Sequence, residues 1–301
     1  MERVLDMNYR EFLAKLTDEL RKELADGDTV AVRTVQKNNG IQMKALSVCH
    51  AEEKVCPMIY TAPFYRMYTS GKKMDDIVRE VLQMCQIGTD CAADDSLFFC
   101  FEKAKSRLTF RLIHYESNYE FLSRVVYRRV LDFAIVYCLF FEGTSGQVGT
   151  SPVYREYLNV WGVAEEELYR TAMERTPRIL PLRVQSLDEI LGEALCVGQE
   201  DCACHVYAMT NRIGFYGAAA AFYPGAARAV ARSLGSDLLL LPSSVHEFLV
   251  LPSGKRDRSE IRRLEHLVSS VNSTHLSPDE VLSGHVYRYR RNTDQISVEK
   301  T

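Results

Sequence analysis

Five consecutive residues, Ser243-Ser244-Val245-His246-Glu247, carry the side chains best suited to nucleophilic chemistry. Successive side chains of a β-strand alternate between its faces, so Ser244 and His246 would share one face and Glu247 would occupy the other. A hydroxyl beside an imidazole is the pairing of a hydrolase, with serine as nucleophile and histidine as general base. However, no Gly-x-Ser-x-Gly elbow surrounds the run, and no second histidine stands at the spacing of a zinc protease. We therefore favour a turn at Pro242-Ser243-Ser244 whose hydroxyls bond backbone groups.

Four potential metal ligands lie close together further upstream, and their composition is that of a structural zinc site. Their spacing does not match a structural zinc site, because Cys-x-Cys followed directly by His is not a standard zinc motif. In a strand starting at Cys204, the side chain of His205 would also lie on the opposite face of the strand from that of Cys204. Free cysteine behaves as a small buried hydrophobic residue, so we predict that the nine cysteines are reduced thiols, mostly buried. No metal is assigned to the candidates Cys196, Cys202, Cys204 and His205.

A third pattern, Asn211-Arg212-Ile213-Gly214-Phe215-Tyr216-Gly217, joins a predicted strand to a predicted helix. The N-terminus of a helix exposes N–H groups that bind phosphate, and an arginine there would add a counter-charge. The pattern matches neither Gly-x-Gly-x-x-Gly nor a P-loop, and a tight turn with close helix packing explains the same glycines. Asn211, Arg212, Gly214 and Gly217 are therefore candidate ligand-binding residues with a structural alternative. No cofactor is predicted.

Three clusters of basic residues suggest a further alternative, a surface that binds nucleic acid. Phosphate neutralisation needs such clusters, and neighbouring tyrosines could stack bases. The whole chain is nevertheless acidic, with 37 Lys and Arg against 40 Asp and Glu, so solvated helix faces are the preferred interpretation. The clusters are Arg124, Arg128 and Arg129; Lys255, Arg256, Arg258, Arg262 and Arg263; and Arg288, Arg290 and Arg291 beside Tyr287 and Tyr289.

The elements that must position these residues mix helices and strands without strict alternation. Asn8 and Glu11 form a capping-box pattern before an amphipathic helix, and Asp257 and Glu260 repeat the pattern near the other end of the chain. Ser277-Pro278-Asp279-Glu280 predicts a further helix start, with proline at the first helical position. Between two apolar alternating runs, Asn39-Gly40 is typical of a tight β-hairpin turn. This order favours an α+β fold of mixed helices and largely antiparallel sheets in two halves.

The boundary between the halves is predicted from proline and helix signals. A helix from Ala164 to Arg175 should stop before Pro177, because the residue preceding proline disfavours helical geometry. Pro177–Pro181 is then the best linker. We predict an N-terminal α+β domain over residues 1–176 and a C-terminal α+β domain over residues 182–301.

Several local phrases of the sequence together resemble one family, the uncharacterised proteins grouped as domain of unknown function 5688. The resemblance covers nearly the whole chain, and it implies a bacterial, clostridial, cytosolic source and no established activity. Two features depart from the family pattern, namely Tyr127-Arg128-Arg129 where a Pro-His pair is expected, and Cys202-Ala203-Cys204-His205. The phrases are Lys37-Asn38-Asn39-Gly40, Pro57-Met58-Ile59-Tyr60, Leu131-Asp132-Phe133-Ala134-Ile135-Val136-Tyr137, Trp161-Gly162, Thr176-Pro177, Thr210-Asn211, Gly217-Ala218-Ala219 and Leu241-Pro242-Ser243-Ser244-Val245-His246-Glu247.

The sequence also leads to expectations about the cellular compartment and the function of the protein. The longest apolar stretch, Val130–Phe141, contains Asp132 and is shorter than the ~20 residues of a membrane-spanning helix. The first residues lack the apolar region of a signal peptide, so we expect a cytoplasmic protein without membrane contact. The preferred function is non-catalytic binding or regulation through a protein partner. A hydrolase using Ser244 and His246, and nucleic-acid binding through the basic clusters, are the alternatives.

Overall fold

A computed structural model of the chain describes residues 7–49, 56, 58–92, 95–143, 146, 148–187 and 206–299, with the backbone alone for 86–92 and 95. Two compact units are formed, and they interleave along the sequence. The first comprises Met1–Lys37, Ile41–Cys100 and Phe140–Ser151. The second comprises Asn38–Gly40, Phe101–Leu139 and Pro152–Thr301.

The first unit opens with helix α1 (Tyr9–Glu23), which begins at the predicted capping box. The Asn8 side chain accepts hydrogen bonds from the N–H groups of Arg10 and Glu11, and the Glu11 carboxylate accepts one from the N–H of Asn8. These bonds satisfy donors that a helix start leaves without internal partners. One face of α1 is buried, and it carries Phe12, Leu13, Leu16, Thr17 and Leu20.

A three-stranded antiparallel sheet packs beside α1, in the order β1 (Thr29–Gln36), β2 (Gln42–Cys49), β3 (Met58–Tyr60). The predicted β1–β2 hairpin is confirmed, since Asn39 and Gly40 adopt φ angles of 58° and 73°. Helices α2 (Ala62–Thr69) and α3 (Met74–Ala92) follow the sheet in this unit. Its core joins side chains of all these helices and strands, among them Phe12, Leu16, Val30, Leu46, Ile59, Phe64, Ile77 and Val81.

One cysteine prediction is wrong, because Cys49 and Cys56 form a disulfide with Cα atoms 5.1 Å apart. The reason lies in the pairing of β2 with β3, where Ser47 faces Met58. Extending that antiparallel register by two residues sets Cys49 opposite Cys56, within the separation that a disulfide requires. Cys85 and Cys138 are buried free thiols, as expected, and Cys100 is half-buried.

Strands β4 (Leu108–His114), β6 (Phe133–Glu142) and β5 (Tyr127–Val130) form a sheet in this order, and β7 (Val148–Pro152) also pairs with β6. The second unit contains β4, β5 and the part of β6 up to Leu139, and the rest of β6 and most of β7 belong to the first unit. Most of the long apolar stretch Val130–Phe141 lies in β6, which begins after a turn in which Leu131 adopts φ 54°. Short helices α4 (Phe101–Ala104) and α5 (Tyr119–Leu122) flank β4.

Helix α6 (Arg155–Trp161) ends at Gly162, which adopts the left-handed conformation. Helix α7 (Glu165–Ile179) does not stop before Pro177 but continues through it, which corrects the predicted helix end. Proline removes a single hydrogen bond so close to the helix end, and the Thr176 hydroxyl holds the last turns by donating to the Ala172 carbonyl and accepting from the Phe110 N–H of β4.

A six-stranded antiparallel sheet forms the rest of the second unit, in the order β13-β12-β10-β11-β9-β8. Its strands are β8 (Leu182–Ser186), β9 (Tyr207–Asn211), β10 (Leu238–Ser244), β11 (Glu247–Pro252), β12 (Tyr287–Arg290) and β13 (Gln295–Val298). The helix predicted to follow Gly217 consists of a 3₁₀ segment (Gly217–Phe222) and α8 (Ala226–Ser233), which are separated at Pro224. Helix α9 (Arg258–Thr274) begins at the predicted Asp257–Glu260 capping box and covers one face of the sheet.

Residues 277–281 form a turn, so the helix predicted from Ser277-Pro278-Asp279-Glu280 is wrong. The Glu280 carboxylate does accept from the Ser277 N–H, as a capping box requires. The following carbonyl groups, which a helix would use internally, instead accept hydrogen bonds from distant parts of the chain. Asn39 donates to the carbonyls of Pro278 and Val281, Asn38 to that of Asp279, and the Val245 N–H to that of Glu280.

The architecture is α+β with antiparallel sheets, as predicted. The two compact units do not coincide with residues 1–176 and 182–301, because the proposed linker Pro177–Pro181 lies inside the second unit between α7 and β8. The division into an N-terminal domain over residues 1–176 and a C-terminal domain over residues 182–301 stays a prediction. Among the described helices, none combines the length and apolar character needed to span a membrane.

Candidate functional site

The candidates at 211–217 and 244–247 come together in the second unit. Strand β9 ends at Asn211 and its antiparallel neighbour β11 begins at Glu247, so the segments adjoining these ends meet. The Thr210 hydroxyl donates to the His246 carbonyl over 2.7 Å, and the Ala218 N–H donates to the Val245 carbonyl over 3.3 Å. Two motifs that are separate in the sequence therefore form one site.

The His246 imidazole is fixed by backbone groups of residues 214–216. Its Nδ1 lies 3.0 Å from the Gly214 carbonyl oxygen and 3.2 Å from the Tyr216 nitrogen, whose N–H donates to it. These contacts need different protonation, because Nδ1 accepts from Tyr216 only when bare and donates to Gly214 only when it carries a proton. The other ring nitrogen, Nε2, lies 3.8 Å from a carboxylate oxygen of Glu280, and the ring of Tyr216 lies alongside at 5.8 Å.

Ser244 and His246 do not alternate along one strand as the sequence analysis supposed. The predicted turn at Pro242-Ser243-Ser244 is wrong, because these residues still belong to β10, where Pro242 pairs with Phe248 of β11. The turn before β11 is formed by Val245 and His246 instead. The buried Ser244 hydroxyl oxygen accepts from the main-chain N–H of His246 over 3.0 Å, which is the hydroxyl-to-backbone bond of a turn. Glu247 is half-buried and lies opposite Ser244 in the β10–β11 pairing. The use of Ser244 and His246 in hydrolysis stays a prediction.

Steric and turn requirements account for the glycines and asparagine of the 211–217 segment. The Asn211 side chain donates to the Phe215 carbonyl and accepts from the Ile213 N–H, which closes the turn. Gly214 has φ 70°, a value that favours glycine. A Cβ added at Gly217 would lie 2.5 Å from the His246 carbonyl oxygen, so only glycine fits there. Arg212 donates its N–H to the Pro181 carbonyl; anion binding by this segment stays a prediction.

The metal candidates Cys196, Cys202, Cys204 and His205 lie outside the described residues. Within the described ranges, no three His, Cys, Asp or Glu side chains are grouped so that they could hold a metal ion.

Arginines in two of the three basic clusters make local contacts, and the ion pairs among these contacts offset their charge. Arg128 pairs with Glu166 and stacks over the Tyr169 ring at 3.7 Å, and Arg129 lies over the Tyr115 ring at 4.1 Å. Near the C-terminus, Arg288 pairs with Glu299 at 2.7 Å, and both side chains are mostly buried. Arginines engaged in this way present less free positive charge to a phosphate backbone.

A groove in the first unit provides a second site, which sequence analysis missed. It has a volume of about 630 Å³ and runs beside α1, where seven residues between Tyr9 and Arg21 line it, with Val32 of β1 and Lys44 of β2 opposite. We call it the α1–β1 groove. Its α1 side combines buried Leu13 with the small, exposed Ala14.

The groove opens because α1 covers only part of this sheet face. Val30 is buried under the helix, but Val32, two residues further on the same face, is 39% exposed. Strand β1 is also an edge of its sheet, since β2 is its neighbour on one side and the described strands supply none on the other. At such an edge, the N–H and C=O groups of alternate residues point away from the sheet.

The charged residues of the α1–β1 groove are mostly basic. Arg10, Arg21 and Lys44 contribute positive charge, and the single carboxylate, Asp18, pairs with Arg21 at 2.9 Å. Within the described part of the chain, neither Arg10 nor Lys44 forms an ion pair, and the Lys44 ammonium donates to the Thr34 hydroxyl. The groove therefore has a net positive charge.

Sequence patterns could not have revealed this groove. Alternation in β1 indicates which face is apolar, and the spacing of α1 indicates its buried stripe. Where a helix crosses a sheet, and how much of the sheet face it leaves open, depends on tertiary packing.

The fold defines an α+β protein whose two compact units interleave along the sequence. The model of DUF5688, a family of unknown function, matches residues 9–291, and the chain belongs to this family. This confirms the resemblance. No curated protein and no solved structure matches the chain.

Proposed function

We propose that the protein is a non-catalytic binding module for a protein partner and that the α1–β1 groove is its contact surface. The observation that supports this is the open groove, which is lined on the sheet side by Val32 of β1, an edge strand among the described strands, and by Lys44 of β2. Natural proteins usually protect a long strand edge with charges, proline or a covering element. Strand β1 spans eight residues with one charge, Arg33, and no proline. An edge left open in this way is typical of partner recognition by added strands.

The experiment is site-specific photocrosslinking in the full-length protein. Benzoylphenylalanine replaces Val32 in the groove, and in a matched control it replaces Val184, which is 37% exposed on the edge strand β8 of the other sheet. We expect a discrete crosslinked protein from Val32 in host lysate, resistant to nuclease and absent from the Val184 control. Its loss in Ala14→Glu, which fills the groove without removing a core side chain, would locate the contact. Equal crosslinking from both positions, or none from Val32, would refute the proposal.

The two alternatives have their own outcomes. A crosslinked species that disappears with nuclease would favour nucleic-acid binding, with an affinity that falls steeply with salt. Hydrolysis through Ser244 and His246 would appear as turnover that Ser244→Ala abolishes at unchanged stability. The structural interpretation of Ser244 expects the opposite, a loss of stability, because the alanine variant leaves the His246 N–H without its acceptor.

A further inference from the structure

We infer that His246 is a proton-controlled latch on the turn at residues 214–216. In the neutral ring, Nδ1 accepts from the Tyr216 N–H and holds the turn. When the ring gains a proton, Nδ1 donates to the Gly214 carbonyl instead and releases the Tyr216 N–H. All of these groups belong to the second unit, so the inference does not rest on the function proposed for the α1–β1 groove.

The first observation is that Nδ1 has two neighbours it cannot bond at the same time. It lies 3.0 Å from the Gly214 carbonyl oxygen and 3.2 Å from the Tyr216 nitrogen. A bare Nδ1 accepts from the N–H and sets its lone pair against the carbonyl oxygen. A protonated Nδ1 donates to the carbonyl and sets its hydrogen against the N–H. Each state satisfies one contact and not the other, so the turn has two alternative arrangements.

The Glu280 carboxylate makes a proton, rather than a change of tautomer, decide between the two arrangements. Its Oε1 lies 3.8 Å from Nε2 of His246. A neutral ring keeps its hydrogen on Nε2, because a bare Nε2 would present its lone pair to the negative charge. Nδ1 is then bare and accepts from Tyr216. Only the doubly protonated ring can donate from Nδ1 and still present an N–H to Glu280.

The other charged groups near the ring do not take the place of this carboxylate. In the same turn, the Asp279 carboxylate accepts from the Ser277 hydroxyl. The Arg111 guanidinium carbon lies 4.6 Å from the centre of the Tyr216 ring, which is 5.8 Å from the centre of the His246 ring. A positive charge beside Tyr216 disfavours a second one on the imidazole, so the cationic ring depends on its carboxylate neighbour. The adjoining segments also contain the charged residues Arg212, which is exposed, and Glu247, which is half-buried.

Exposure and backbone geometry make the latch responsive. The side chains of His246 and Glu280 are 34% and 40% exposed, so the ring can take up a proton from water without unfolding. Tyr216 adopts φ 48°, which is unfavourable for a residue other than glycine, and it directly precedes the 3₁₀ segment. Loss of the bond from its N–H should therefore let Tyr216 relax and loosen the start of that segment. Histidine is the side chain that ordinarily changes charge between pH 5 and 8.

The test is solution NMR of the full-length protein with ¹⁵N-labelled histidine and tyrosine, in which Tyr216→Phe identifies the Tyr216 amide signal. At about pH 8 we expect a bare Nδ1 in His246. Down to about pH 5.5, the Tyr216 amide signal should move together with the His246 ring signals. Its hydrogen exchange, corrected for the intrinsic effect of pH, should become about fivefold faster or more, as the loss of one hydrogen bond predicts. The exchange of the Tyr289 amide in β12 should not change, which distinguishes the latch from acid unfolding.

Three variants assign the response to its residues. His246→Gln should abolish the pH dependence of the Tyr216 amide, because glutamine does not titrate. Glu280→Gln keeps the size of the side chain and removes its charge, so both signals should change at a lower pH than in the wild type. His266→Gln is the matched control, because His266 is an exposed histidine of α9 in the same unit, and it should leave the response unchanged. Variants are compared only if their circular dichroism and melting at about pH 8 match the wild type.

The wild-type measurement decides the inference even where a variant fails to fold. A Tyr216 amide that stays unchanged while His246 gains its proton would overturn it, and so would a proton on Nδ1 already at about pH 8. A Tyr216 response that persists in His246→Gln, or one that is unaltered in Glu280→Gln, would also overturn it. Crosslinking from Val32 tests the proposed function separately, in the other unit.

Discussion

Gly217→Ala is the substitution whose cost the structure defines best. A Cβ at this position would lie 2.5 Å from the His246 carbonyl oxygen and 2.8 Å from the Asn211 nitrogen, and closer still to the Thr210 hydroxyl. Ordinary contact begins at 3.4 Å. The turn before β11 and the end of β9 must therefore separate by several tenths of an ångström or more. Both crowded backbone atoms belong to paired strands or the turns that join them, so they cannot move independently.

The expected cost combines two effects. Overpacking of a closely packed site destabilises by about 1–3 kcal/mol, and separation also weakens the Thr210 hydroxyl bond to the His246 carbonyl, worth about 1 kcal/mol. We expect a loss of about 2–4 kcal/mol. In a unit of this size, that lowers the melting temperature by roughly 5–15 °C.

Differential scanning calorimetry of the full-length protein, with far-UV circular dichroism, measures this change. The matched control is Gly284→Ala in the same unit, where an added Cβ meets nothing within 4 Å. It should leave the melting temperature unchanged or slightly raised. If Gly217→Ala melts within about 2 °C of the wild type, which corresponds to less than ~1 kcal/mol, the steric argument is refuted.

Three further predictions concern buried polar groups and thiols. Asn39→Gly should lose about 1–3 kcal/mol from its missing side-chain bonds, and Asn39→Ala about 1 kcal/mol more because of the positive φ; equal urea midpoints would contradict this. Tyr287→Phe removes a buried hydroxyl that donates to Asp132 and should cost about 1.5–3 kcal/mol. Burial and the neighbouring Asp132 raise the pKa of Tyr287, so folding stability should fall above about pH 10, where the unfolded tyrosine ionises, and fall less in Tyr287→Phe. Burial raises the pKa of the Cys85 thiol to about 12, so iodoacetamide should alkylate Cys100 before Cys85 in the native protein; faster alkylation of Cys85, followed by mass spectrometry, would contradict the burial of this thiol.

Features that depend on neighbouring residues could be predicted from the sequence. The Asn8–Glu11 and Asp257–Glu260 caps and the Asn39-Gly40 turn use bonds or torsion angles within a few residues. Their chemistry is complete in the local sequence, so the patterns were reliable.

Features that depend on strand register or on hydrogen-bond donors far away in the sequence could not be predicted. The Cys49–Cys56 disulfide follows from the pairing of β2 with β3. The pattern at Ser277–Glu280 was read as a helix start, but it cannot reveal that donors from Asn38, Asn39 and Val245 occupy the carbonyls. The same limit applies to the candidate sites, because the sequence indicated Ser244 and His246 but gave no sign of the α1–β1 groove.

The interleaving of the two units affects how the protein is made. When the ribosome has completed Cys100, the first unit still lacks Phe140–Ser151, and the intervening residues belong to the second unit. At about 5–20 residues per second, the missing segment arrives roughly 3–10 s later. The main core cluster of the first unit, from Phe12 to Cys85, has by then been synthesised, so it can form before this last segment is added. No single cut of the chain therefore separates the two units into two fragments, because each unit contains a segment that lies between segments of the other.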